Sequence, residues 1–227
     1  MNLLCGAMGV IFSIQGELTI AFYLMIAAAV CDFFDGFAAR LLKAFSPIGK
    51  DLDSLADMVS FGLLPAIMMH QRMVEDNETG FLSFVPLIIV VFSAIRLAKF
   101  NIDNRQTENF LGLPTPACAM LCGSLIFAGD RGINSAAEIC HSPYLIAAVS
   151  VVLAILLIVE IPMLSIKFKK GSKDNAARLT LIAICVVFAG LTLILKIHWS
   201  FIPLLIFSLY IVHNIIRYIV SLFSKKK

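Results

Sequence analysis

The chain has 227 residues, 60% of them hydrophobic and 15% charged, with a formal net charge of +3. A soluble domain carries roughly a quarter charged residues and about half apolar ones, so this composition excludes an ordinary soluble fold and predicts an all-α, polytopic membrane helix bundle. The charge is small and no long basic run is interleaved with aromatics, which excludes nucleic acid as a partner.

A crossing helix needs about 20 mostly apolar residues. Taken in chain order, about eight segments are predicted: 2–15, 18–43, 50–71, 81–100, 112–129, 143–162, 177–196 and 199–221. The first is short for a crossing if the chain starts at Met1, and no basic lead-in marks it as a cleavable signal peptide. Pro114 and Pro116 predict a bend in the fifth. The connections at 74–80 and 129–142 are acidic and polar and show no chemical pattern. The connection "KFKKGSKDN" at 167–175 is basic and reads as a topology determinant beside anionic lipid. No internal repeat is visible, so the whole of 1–227 reads as one membrane domain, with additional helices at about 143–221.

Charge distribution sets the orientation. With a cytoplasmic N-terminus, only Arg72, Arg131 and Lys196 of the 18 lysines and arginines fall at outer ends. Both termini are therefore expected in the cytoplasm. The six cysteines, Cys5, Cys31, Cys118, Cys122, Cys140 and Cys185, sit mostly in apolar runs. No histidine stands at metal-ligand spacing from them, and they read as small packing residues.

One stretch breaks the apolar pattern: "DFFDGFAARLLKAFSPIGKDLDSLAD" at 32–57. Asp32 is about 21 Å along the second helix, near its inner end. Asp32 and Asp35 are three residues apart, Asp53 and Asp57 four apart, so each pair shares a helical face. Four carboxylates can thus converge from two helix ends joined by a turn at Ser46 and Pro47. Left alone they would repel and desolvate one another. One divalent cation or two would remove that conflict, and oxygen donors favour Mg²⁺, Mn²⁺ or Ca²⁺ over zinc. Gly36 and Ala39 keep the helix surface small, Arg40 can pair with a phosphate, and Gly49 lets the third helix start close to the second. Asp51 points away from the Asp53–Asp57 face and reads as an N-capping or solvated bystander.

These residues resemble the signature of the CDP-alcohol phosphatidyltransferases, D-x-x-D-G-x-x-A-R followed after eight residues by G-x-x-x-D-x-x-x-D. The stretches "NLLCG" at 2–6, "GKDLDSLADMVSFGLLPA" at 49–66, "RLAKFN" at 96–101 and "GLPTPACA" at 112–119 are similar to the phosphatidylserine synthase branch, over about the first 120 residues. Relatives usually carry a short polar segment before the first of these, and often glutamate where Asp51 stands. The resemblance implies that Asp32, Asp35, Asp53 and Asp57 hold two Mg²⁺ or Mn²⁺ ions and that Asp57 takes the proton from an attacking hydroxyl. It implies CDP-diacylglycerol bound at Gly36, Ala39, Arg40, Ser46 and Gly49, with L-serine as acceptor and CMP released. It also implies a homodimer in lipid, in a bacterial inner membrane, with a cytoplasmic site. Arg96 and Asn101, on the same side, are candidates for acceptor binding; for Arg96 the alternative is an arginine snorkelling to headgroups. Glu160 reads as an inner-interface anchor. Competing readings are the same chemistry on glycerol 3-phosphate or an inositol, and a cation transporter. The gathering of acid at one end of two helices disfavours the transporter.

Overall fold

The apolar segments form helices in the computed structural model, which is described over residues 1–42, 46–78, 80–103, 110–132, 134–164 and 175–224. Among these residues the helices are α1 (Asn2–Ile14), α2 (Leu18–Leu41), α3 (Pro47–Asp57), α4 (Leu64–Glu75), α5 (Ile88–Ile102), α6 (Thr115–Asp130), α7 (Asn134–Cys140), α8 (Pro143–Ile158), α9 (Asn175–Ile194) and α10 (Phe201–Ser224). Six π-helical residues, Met58–Leu63, join α3 to α4 as one rod, and a 3₁₀ segment, Phe81–Leu87, leads into α5.

Among the described residues, five stretches are long and apolar enough to cross a membrane: Leu18–Ala39, Pro47–Glu75, Phe81–Ile102, Asn175–Ile194 and Phe201–Phe223. Three shorter apolar helices, Asn2–Ile14, Thr115–Asp130 and Pro143–Ile158, fall where the remaining segments were expected. Large apolar side chains such as Leu179, Val187, Leu193 and Phe223 face outward. Water would penalise such a surface, whereas lipid would not. The chain is thus an integral membrane protein.

Helix α6 is the buried axis. Ala117, Cys118, Ala119, Cys122, Gly123 and Ser124 are all buried on it, and small residues of this kind let helices approach closely. Phe127 stacks on Phe22 of α2 at 4.8 Å between ring centroids. Cys118, Cys122 and Cys140 are buried among these helices, in the packing role expected of them. Burial pushes the Cys140 thiol up to about 12, so it is not a reactive thiolate.

Several boundaries differ from expectation for local reasons. Pro114 and Pro116 do not bend a span: Pro114 is the N-cap of α6 and Pro116 lies in its first turn, where a missing N–H costs nothing. Helix α8 stops at Ile158, before the expected 162, because the chain turns into a short two-stranded ladder. There β1 (Phe110–Leu111) pairs antiparallel with β2 (Pro162–Met163). Gly112 follows β1 with φ +77°, and a Cβ there would lie 2.6 Å from the Leu157 carbonyl oxygen, so the backbone and the space both demand glycine. The Leu113 N–H then bonds the Leu156 carbonyl at 2.8 Å, satisfying one of the last acceptors of α8. The basic connection at 167–175 lies outside the described residues up to 174.

The connections that carried no chemical pattern form a charged knot at the far end of the α3–α4 rod. Arg72 pairs with Asp76 at 2.8 Å, Glu75 at 3.2 Å and Asp130 at 3.4 Å, and meets the His141 ring nitrogen Nδ1 at 3.0 Å. The knot ties α4 to the end of α6 and to the residue following α7.

Candidate active site

Two helix ends build the site. The third helix starts at Ser46, whose backbone is extended (φ −139°, ψ 150°) and whose Oγ accepts from the Gly49 N–H at 3.1 Å, with Pro47 in the first turn. Ser46 is therefore the N-cap, so of the two roles expected of Asp51 capping is corrected and the solvated bystander stands. Asp51 is the fifth helical residue, past the unpaired N–H groups of the first turn, and it is exposed. A Cβ on Gly49 would meet the Ser46 Oγ at 3.0 Å, so this glycine serves the cap itself.

Lys50, Asp53, Ser54 and Asp57 recur at helical spacing on α3 and all line one cavity. Carboxylate oxygens of Asp32, Asp53 and Asp57 lie within 4.8 Å of one another. The two helix ends thus bring together three of the four predicted ligands. Asp35, one turn further along α2, is exposed, and its carboxylate lies 3.9 Å from the N-terminal ammonium of Met1. Gly36 is exposed and a Cβ there would meet nothing within 4 Å, so space for a ligand exists beside it. Ala39 is half-buried on the same helix. The side chain of Arg40 lies outside the described residues.

A hard divalent cation fits this donor set. Three anionic oxygens meet, and among the described residues no lysine or arginine pairs with Asp32, Asp53 or Asp57. The polar group inserted between them is the Asn2 amide, whose Nδ2 donates to Asp57 Oδ1 at 3.0 Å and to Asp32 Oδ1 at 3.4 Å. An amide does not cancel charge, so the acidic oxygens retain their demand for a cation.

Beside the cluster is a cavity of about 770 Å³. Asp53 and Asp57 stand on its polar side; Met120 of α6, Leu181 and Val186 of α9, and Phe207 and Tyr210 of α10 line the rest. A charged head and an apolar body can be held together in such a space. Arg96 reaches this cavity from α5. It is only 7% exposed, so it does not snorkel to headgroups. Its Nη1 donates to Thr115 Oγ1 at 3.0 Å, its guanidinium lies 6.0 Å from the Phe100 ring centroid, and its Nε is buried with no partner among the described residues. Asn101 also fastens α5 to α3: its side-chain amide donates to Ser54 Oγ at 2.9 Å, and its backbone carbonyl accepts from Lys50 Nζ at 2.7 Å. Glu160 lies in the turn after α8 and lines a smaller cavity with Arg96 and Lys99.

Sequence reasoning overlooked Asn2, Lys50, Ser54 and Tyr210 as parts of the site. Lys50 and Ser54 share the face of Asp53 and Asp57 and were legible from spacing. Asn2 opens the "NLLCG" stretch that carried the resemblance, but nothing in its spacing tied it to the acids; Tyr210 comes from a distant part of the chain and carried no local signal.

Comparison with known proteins identifies the family. Residues 1–159 match the family model described as CDP-alcohol phosphatidyltransferase. An archaetidylserine synthase of Methanothermobacter thermautotrophicus is 35% identical over 141 residues, 61% of this chain and 60% of that protein. A CDP-diacylglycerol–serine O-phosphatidyltransferase of Helicobacter pylori is 34% identical over 122 residues, 53% of this chain and 51% of that protein. A protein of the same name from Bacillus subtilis is 29% identical over 175 residues, 77% of this chain and 90% of that protein. The chain thus spans 60% and 51% of the first two relatives' lengths. The family match ends before α9 and α10, which supply much of the cavity's apolar wall.

Proposed function

This chain belongs to the CDP-alcohol phosphatidyltransferase family, and we propose that it transfers a phosphatidyl group from CDP-diacylglycerol to L-serine, giving phosphatidylserine and CMP. One observation carries the reading: three carboxylates from two helix ends converge within 4.8 Å, and two of them line a largely apolar cavity large enough for a lipid-linked head. The names of the relatives support serine as the acceptor.

In this reading Asp32, Asp53 and Asp57, joined by Asp35, hold two divalent cations, Mg²⁺ or Mn²⁺. When bound, these supply charge neutralisation and Lewis acidity at the diphosphate. Gly36 and Ala39 leave room for the cytidine moiety, Gly49 and Ser46 hold the start of α3 beside the diphosphate, and Arg40 pairs with a phosphate. The serine hydroxyl oxygen bonds to the phosphorus that carries diacylglycerol, and its proton passes to the Asp57 carboxylate. The bond from that phosphorus to the bridging oxygen breaks, and CMP leaves with the electron pair. Arg96, buried with an unpaired Nε beside the cavity, receives the serine carboxylate; Asn101 holds the wall beside it. The apolar lining limits water, which would otherwise divert the activated lipid to phosphatidate. The wider arrangement is eight spans with both termini cytoplasmic, a homodimer, and a site facing the cytoplasm of a bacterial inner membrane.

The test is CMP release by the purified full chain given CDP-diacylglycerol, Mg²⁺ or Mn²⁺, and one alcohol at a time. Release with serine alone is expected. Release with glycerol 3-phosphate alone would move the acceptor assignment, and none with any alcohol from folded protein would remove the transferase reading.

A further inference from the structure

Asn2 is only 4% exposed, yet its side chain touches two carboxylates from two different helices. An amide nitrogen carries two N–H groups, and both are accounted for by Asp57 Oδ1 and Asp32 Oδ1. The residue is held from behind as well. Ser60, fully buried in the π-helical segment after Asp57, donates its hydroxyl to the Asn2 backbone carbonyl at 3.2 Å. One turn along α1, Gly6 lets the two backbones close: a Cβ there would lie 2.8 Å from the Ser60 Cα and collide with its hydroxyl. Helix α1 is therefore pressed against the element that carries Asp57, with Asn2 at the end nearest the acids.

We propose that Asn2 is a positioning residue that holds Asp32 and Asp57 in a cation-ready array without neutralising them. The inference rests on the metal-dependent reading above. Each carboxylate has one oxygen engaged by the amide and keeps a second for a cation. A lysine or arginine at this position would occupy the site with its own charge. A purely apolar residue would leave two like charges facing each other with nothing to organise them. The amide alone orients both and leaves their charge intact. Partners of this kind, behind metal ligands, typically govern metal affinity by about 10- to 100-fold.

The experiment measures Mn²⁺ binding by electron paramagnetic resonance on the detergent-solubilised full chain, without substrate, for wild type, Asn2→Ala and Asn2→Lys. Asn2→Ala should raise the half-saturating Mn²⁺ concentration about 10-fold or more, with turnover largely recovered at saturating Mn²⁺. Asn2→Lys should abolish Mn²⁺ binding while raising the melting temperature of the metal-free protein. Wild-type affinity in folded Asn2→Ala, or in folded Asn2→Lys should the alanine variant not fold, would overturn the positioning role alone. A wild-type chain that binds no Mn²⁺ would overturn this role and the metal reading together.

Discussion

The two ends of the α3–α4 rod solve the same problem in opposite ways. Each gathers three carboxylates beside a membrane: Asp32, Asp53 and Asp57 at one end, Glu75, Asp76 and Asp130 at the other. They are separated by about 15 residues of rod between Asp57 and Arg72, roughly 22 Å of rise. At the far end the compensating cation is covalently present, as Arg72 at 2.8–3.4 Å from all three acids. At the cavity end the central group is a neutral amide. An internal cation makes acid into a fastener. Acid organised by an amide beside a cavity keeps its charge for a ligand that arrives from outside. Carboxylate number is the same, so function is decided by what sits between the carboxylates.

This contrast can be broken from either side. The largest effect is expected for Asp57→Asn, which should lower CMP release by about 10²–10⁴-fold, the range for loss of a general base. It should also leave the metal-free melting temperature unchanged or higher, because one of three repelling charges is gone. Loss of turnover together with a lower melting temperature would show that the cavity cluster is a fastener after all. Arg72→Ala is the mirror experiment. Three acids lose their shared partner, and removing one side of a partly buried charged network costs about 1–3 kcal/mol. Thermal unfolding in detergent should shift down strongly while turnover per folded molecule stays as in wild type. Unchanged melting would deny the far-end knot its structural role.

Smaller effects sharpen the comparison. Gly6→Ala places a methyl group against Ser60 and should cost about 1–3 kcal/mol through overpacking. Because α1 carries Asn2, the same variant should weaken Mn²⁺ binding, which a far-end substitution should not do. Ser46→Ala removes the α3 cap and should cost about 1 kcal/mol. Its turnover should fall only modestly; a loss as deep as that of Asp57→Asn would point to a direct role of the hydroxyl in substrate binding.

Much of the site was legible because helical periodicity maps sequence spacing onto faces. Asp53 and Asp57 at i, i+4 do share a face, and Asp32 does meet them. Of the two roles offered for Asp51 the solvated one stands and capping fell to Ser46, because an N-cap depends on where the first turn begins, and Ser46–Pro47 starts the helix earlier than apolar character indicated. The prolines at the start of α6 misled for the same reason: Pro114 and Pro116 lie at a helix start, where they are tolerated, and that start follows the long-range pairing of residues 110–111 with 162–163. The buried setting of Arg96 was equally illegible, since it depends on Thr115 and Phe100 closing around the guanidinium.

Composition and spacing by themselves determined that the chain lies in a membrane and that Asp53 and Asp57 share a helix face. These follow from local chemistry: hydropathy over about 20 residues and a 3.6-residue turn. Tertiary structure alone decided which acids meet, that among the described residues Asn2 rather than a basic side chain stands between them, and that α9 and α10 wall the cavity. Those contacts join residues 30 and 55 positions apart and more, and no periodicity within one helix can specify which helix packs beside it.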